Sequence, residues 1–290
     1  MRHARLATPP TRLVVVPHRA LPLKEDVSFA FALTWLVAAL LIASSMRGLF
    51  HGWRSWYDPA PAVPALLGQD LVTLFVAVPF LIDSMRRARR GSTRGLLCWM
   101  GALFYIAYFS YFYVVGIGLD VFFPVHIALT SMSMYGLLAL FFALDLRTLQ
   151  SQFDGRTPTR LIGGFLIASA LGFGVMWLVL TISALAAGRE LDQVSRLVIA
   201  IDGVVLLPLT FVGGVWLWRR LPLGYALAGV LLVKLAATFL TLVASSATTW
   251  LWGQTLDAMQ TSAYAVGMVC ALALEGPYLR SVKARKGAET

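Results

Sequence analysis

The chain has 290 residues, of which 59% are hydrophobic and 13% charged, and a formal net charge of +10. A soluble domain of this length carries about a quarter of its residues as charges, so this composition excludes one. The positive charge does not indicate nucleic-acid binding either, because the basic residues sit in short clusters at the ends of apolar segments, where membrane insertion places them.

The apolar segments reach about 18 residues or more, long enough to cross a hydrocarbon layer roughly 30 Å thick. They lack the period-2 alternation of barrel strands. A bare backbone cannot be satisfied by lipid, so helices are the spanning element. The predicted fold class is all-α, a polytopic transmembrane helical bundle of eight spans. They run over 28–46, 70–85, 95–117, 121–144, 161–187, 197–218, 222–245 and 258–275. The first, from Ser28 through Trp35 to Ser45, ends in small residues such as Ala43. It is longer than the roughly 7–15-residue core of a signal peptide, so it is read as a span. Residues 1–27 are then a cytoplasmic tail, 28–276 an eight-helix transmembrane domain, and 277–290 a basic cytoplasmic tail.

Orientation follows from the basic residues. With the N-terminus inside, 19 of the 24 Lys and Arg fall in cytoplasmic segments, including Arg86, Arg87, Arg89, Arg90 and Arg94. Only Arg47, Arg54, Arg189 and Arg196 fall outside, and Lys234 lies within a span. That asymmetry places both termini in the cytoplasm. The outer loops carry aromatic anchors instead: Trp53, Trp56, Tyr57, Trp250 and Trp252.

Residues 28–146 and 160–276 are candidates for a parallel duplication about an axis along the membrane normal. Asp70 precedes Arg87 by 17 residues, as Asp202 precedes Arg219. Gly95 precedes Tyr105 by ten, as Gly224 precedes Lys234. Ser133-Met134-Tyr135 is echoed by Ser262-Ala263-Tyr264. Pro79 and Pro208 also recur, at unmatched distances from Asp70 and Asp202.

An ionisable residue at a helix centre costs about 2.5–3.5 kcal/mol on insertion scales. Lys234, in GVLLVKLAATFL, is the clearest case, and Asp202, in the preceding span, is its expected ion-pair partner. Such a pair either locks two helices together or binds a solute, ion or proton. Gln69, Asp70, Asp120, His126, Gln260 and Ser262 fall in the same outer half. If they converge with Asp202 and Lys234, they form a polar vestibule. Tyr105, Tyr108 and Phe112, spaced i, i+3 and i+7, share a face of an aromatic span. Asp83, Asp145 and Glu275, near basic clusters at the inner end, read as interfacial ion-pair partners.

Other chemistry lacks its motifs. Cys98 and Cys270 have no CxxC partner and read as small apolar residues. His126 is the sole histidine within a span, without the second ligand a b-type haem needs. There is no HExxH and no phosphate loop, and Gly163-Gly164 and Gly172-Phe173-Gly174 lie within a span, where small residues allow close helix packing. Lys234 does not stand in a retinal-protein context, since an eighth span follows it. No cofactor and no metal are expected, and the expected partners are the lipid bilayer and a small solute or membrane protein, not nucleic acid.

The stretch Gly68 to Tyr113 reads GQDLVTLFVAVPFL, an RRGSTRG turn and YIAYFSYFY, and IDGVVLLPLT, RRLPLGY and LLVKLA follow. Together these resemble a family of multi-pass bacterial inner-membrane proteins without assigned function, over most of residues 28–276. The resemblance implies the bacterial cytoplasmic membrane and nothing about substrate. His126 departs from it, standing where an aromatic or aliphatic residue is expected.

Three readings fit these residues. A transporter or solute-binding protein predicts a cavity reaching Lys234 from one surface. A structural, assembly or sensing subunit predicts a sealed Asp202–Lys234 pair. An intramembrane enzyme acting on a lipid or quinone predicts Asp70, His126 and Asp202 gathered around Tyr105 and Tyr108.

Overall fold

In the computed structural model, the described residues are 21–50, 63–116, 119 and 121–283. Nine helices follow one another in these residues: α1 (Ser28–Phe50), α2 (Val63–Arg89), α3 (Thr93–Gly116), α4 (Phe123–Ala143), the short α5 (Leu146–Ser151), α6 (Thr159–Ala186), α7 (Gln193–Trp218), α8 (Pro222–Leu251) and α9 (Ala258–Arg280). All but α5 are long and apolar enough to cross a membrane, so the chain is a multi-pass integral membrane protein. Asp120 and the anchors Trp53, Trp56 and Tyr57 lie outside the described residues.

The spans extend past their expected edges. Helix α2 begins at Val63 rather than 70, because Gln69 and Asp70 are accommodated inside a continuing helix. Helix α9 runs through Pro277 to Arg280, and Tyr278 in that extension is fully buried, its hydroxyl donating to Tyr225 O.

Helices α3 and α8 form the centre: 83% and 78% of their spanning windows are buried, against 11% for α6 and α9. The outward faces of α6 carry Leu171, Val175, Leu178 and Ile182, the side chains a lipid-facing helix presents. At the α3–α8 crossing a Cβ on Gly101 would lie 2.5 Å from Val233 Cβ, so only glycine lets the central helices meet there. Helices α6 and α7 meet through Gly163 and Gly214. A Cβ on Gly163 would stand 2.7 Å from Gly214 O, and one on Gly214 2.8 Å from Gly163 O. Gly172 has no atom within 4 Å of its would-be Cβ and Gly174 only Leu207 at 3.7 Å, so the second glycine pair does not serve close packing as its sequence suggests. Gly163→Ala is expected to force α6 from α7 and cost about 1–3 kcal/mol, read as a lower unfolding midpoint in detergent. Gly172→Ala, facing open space, should leave the midpoint unchanged or slightly raised.

Helices α2 and α7 share an irregularity. Each contains one π turn, at Thr73–Ala77 and Asp202–Leu206, closed by Val78 N donating to Thr73 O and Leu207 N to Asp202 O. Pro79 and Pro208 follow directly. A proline inside a helix lacks an N–H and crowds the carbonyl four residues back, and a widened turn relieves both faults while offsetting the side chains before it.

The segments flanking each set of four spans pair in one way. Lys24 N donates to Ala143 O (2.7 Å) and Asp145 N to Pro22 O (2.8 Å); Asp154 N donates to Ser281 O (2.8 Å) and Lys283 N to Gln152 O (2.8 Å). Of the acids expected as ion-pair partners, Asp83 accepts from Arg87 at 2.6 Å on the surface. Asp145 does something else: it caps α5, accepting from Arg147 N and Thr148 N. The Thr148 N–H and hydroxyl, with the Arg147 N–H, hold its carboxyl below the usual carboxylate range.

Candidate functional site

The wide turn of α7 presents the buried Asp202 to the centre of the bundle. One carboxylate oxygen accepts from Tyr108 Oη of α3 at 2.6 Å, the other from Trp177 Nε1 of α6 at 3.0 Å. Hydrogen bonds to a charged acceptor are the strong kind, and here two donors from two helices satisfy a carboxylate that lipid could not.

Lys234 does not reach Asp202. Its Nζ sits 3.6 Å from the centroid of the Tyr108 ring and has no hydrogen-bond partner, and the residue is fully buried. The expected ion pair is therefore replaced by a relay: ammonium on the ring face, ring hydroxyl on the carboxylate. The reason is positional. Lys234 lies beside the α3–α8 crossing, so α3 places an aromatic side chain between it and α7. A cation over a tyrosine ring gains about 0.5–2 kcal/mol, but it leaves three N–H donors unused.

A pocket of about 390 Å³ adjoins this relay, bounded by α3, α6, α7, α8 and α9 and by the start of α2. It lies toward the end of the bundle that carries the N-termini of α2, α7 and α9, and Gln69, Ser195 and Gln260 contribute to its wall. Phe112, Phe173, Trp177, Phe239 and Tyr264 join aliphatic side chains in a mainly apolar wall, with Phe173 and Phe239 stacked at 5.7 Å. Helices α6 and α9 both line it and hardly touch one another.

The remaining expected residues go elsewhere. Asp70, His126 and Tyr105 line a separate cavity of about 20 Å³ between α1, α2, α3 and α4, and Gln69, Phe109 and Tyr113 border both spaces. That volume holds about one water. There Tyr105 Oη bonds Thr241 Oγ1 at 2.7 Å and His126 stacks on Tyr113 at 4.6 Å. The single polar vestibule expected from the sequence is thus two spaces, and Tyr105 and Tyr108, expected to share a face, serve different ones. The proposed enzymatic grouping of Asp70 and His126 with Asp202 does not assemble.

Trp177, Thr210, Thr238 and Phe173 are pocket residues that sequence reasoning missed. Thr238 had a legible signal, since it stands four residues after Lys234 and so on the same helical face. Trp177 had none, because a tryptophan within a span ordinarily packs. Among the described residues no group of three or more His, Cys, Asp or Glu could hold a metal ion. Comparison with known protein families, curated proteins and solved structures yields no match to this chain.

Proposed function

We propose that this protein binds, and moves across the membrane, a small solute held in the pocket above the Asp202–Tyr108–Lys234 relay. The observation that carries the reading is the pocket itself: a space of about 390 Å³ bordered within the spans by an acidic and a basic residue, Asp202 and Lys234. Ligand sites are concave, mostly apolar and orient their ligand with a few polar groups, in volumes of about 300–1,000 Å³. A purely structural role predicts a direct, sealed ion pair, and Lys234 makes none.

The basic-residue asymmetry supports placing both termini in the cytoplasm, which puts the pocket in the outer half. A parallel 4+4 architecture supports the transport reading. Shifting the chain by 129 residues superposes Thr73 on Asp202, Pro79 on Pro208, the left-handed Gly91 on Arg220, Gly95 on Gly224 and Tyr105 on Lys234. The two cavities follow the same shift, with Leu41, Phe109 and Tyr113 of the small one answering to Ala170, Thr238 and Leu242 of the large one. This correspondence supports reading the two halves as copies of one unit, with the second opened for ligand.

The test is chemical access. In a variant lacking Cys98 and Cys270, cysteines at Gln260 and Ser245 should react with a membrane-impermeant maleimide added outside intact cells, and solute should slow the reaction. A cysteine at Arg220 should react only in inverted vesicles. Labelling of Gln260 and Ser245 only from the cytoplasmic side, or from neither side, contradicts the reading.

A further inference from the structure

We infer that the pocket's ligand is an amphiphilic organic anion, an apolar body ending in one carboxylate, which Lys234, Thr210 and Thr238 receive; this rests on the solute-binding reading above.

Three polar atoms bordering the pocket are buried without a hydrogen-bond partner: Lys234 Nζ, Thr210 Oγ1 and Thr238 Oγ1. Buried polar groups are almost always paired, and leaving one unpaired is costly. The two threonines stand out within this chain. Thr34, Thr130, Thr181, Thr241, Thr248 and Thr249 each donate to the carbonyl four residues back. Thr210 and Thr238 do not, although both lie within helices α7 and α8 where the same bond is open to them.

The unpaired set identifies the missing group by chemistry. An ammonium only donates, and each hydroxyl can donate, so the partner they lack together is an acceptor with several lone pairs. A carboxylate is such a group and brings the opposite charge to Lys234. Asp202 does not play the part, because its carboxylate is turned to Tyr108 and Trp177 and the Tyr108 ring stands between it and Lys234. A cationic ligand would leave Lys234 unsatisfied and place a second positive charge beside it.

The rest of the pocket asks for an apolar body. Phe112, Phe173, Phe239 and Tyr264 wall it together with aliphatic side chains such as Leu235 and Leu242. The Tyr108 ring covers Lys234 and must swing aside for the carboxylate to reach it, so Tyr108 is a positioning residue that couples ligand arrival to release of the Asp202 hydrogen bond.

The test uses purified full-length protein in lipid nanodiscs, with empty nanodiscs as the partition control, and three probes on one scaffold: 4-phenylbutyrate, 4-phenylbutanamide and 4-phenylbutylammonium. Binding is read by ligand-observed NMR and calorimetry. The acid should bind at least about tenfold more tightly than the amide or the amine. Lys234→Met should weaken it by about 10- to 100-fold, the worth of a hydrogen bond to a charged group, and Thr238→Val severalfold, while Asp202→Asn should still bind it. If the amide or the amine binds as well as the acid, or if both Lys234→Met and Thr238→Val leave acid binding unchanged, the anion assignment is overturned and a ligand pocket of other chemistry stands. If none of the three binds, the pocket reading falls with it.

Discussion

Replacing Lys234 with methionine should raise the unfolding midpoint of the purified protein while weakening its ligand binding. The ammonium is fully buried with no hydrogen-bond partner, and a buried donor left unmade costs about 1–3 kcal/mol, more when charged. Methionine fills a similar volume with an unbranched apolar chain, so it restores packing without the desolvated charge. The loss is the contact with the Tyr108 ring, about 0.5–2 kcal/mol. The balance is a stabilisation of about 1–3 kcal/mol, in line with replacing buried charges by apolar residues elsewhere. A polar group kept at the expense of stability is the signature of a working site rather than a helix clamp. Were Lys234 the partner of a buried carboxylate, its removal would instead destabilise the protein by about 3–5 kcal/mol, because it would strand the other charge. The sign of the shift therefore separates the two accounts.

The second large effect is at Tyr108. Tyr108→Phe keeps the ring face on which Lys234 rests and deletes the hydroxyl that donates to Asp202 at 2.6 Å. A buried carboxylate then keeps only the Trp177 donor among the bonds described, and the expected cost is about 2 kcal/mol. In an Asp202→Asn background the same substitution should cost clearly less, since a neutral amide loses less with each donor. The cycle should give a coupling of about 1 kcal/mol or more, within the range for residues in contact. Tyr108→Leu removes hydroxyl and ring together and should be the worse of the two variants. Equal costs for Tyr108→Phe with and without the Asp202 carboxylate would mean that the bond carries no stability.

The sequence made the eight spans legible because hydropathy over a spanning length is decided by the bilayer, not by neighbours. It made the edges less so. Gln69 and Asp70 look like the polar start of a span, yet backbone hydrogen bonds continue through them back to Val63. At the site, residue types were readable and partnerships were not. Lys234 and Asp202 announce themselves by their cost within a membrane, but whether they touch depends on how α7 and α8 are rotated about their axes. The π turn at Asp202–Leu206 resets that rotation. It has no residue signature beyond the proline that follows, so the sequence spacing pairs Asp70 with Asp202, whereas the residues that open the two wide turns are Thr73 and Asp202. Pro79 and Pro208, unmatched when counted from the aspartates, match when counted from the turns. Tyr108 was singled out for a shared aromatic face and proved to stand between the two charges, a role fixed by the close α3–α8 crossing at Gly101.

Tyr108 separates Lys234 from Asp202 at the base of the pocket. An experimental map of the protein in nanodiscs, without added solute, tests it most directly. The expected map has the Lys234 amine over the Tyr108 ring, the tyrosine hydroxyl on the Asp202 carboxylate and an apolar-walled space beside them. A Lys234 amine within about 4 Å of the Asp202 carboxylate, the distance of an ion pair, with side chains filling that space, would contradict it.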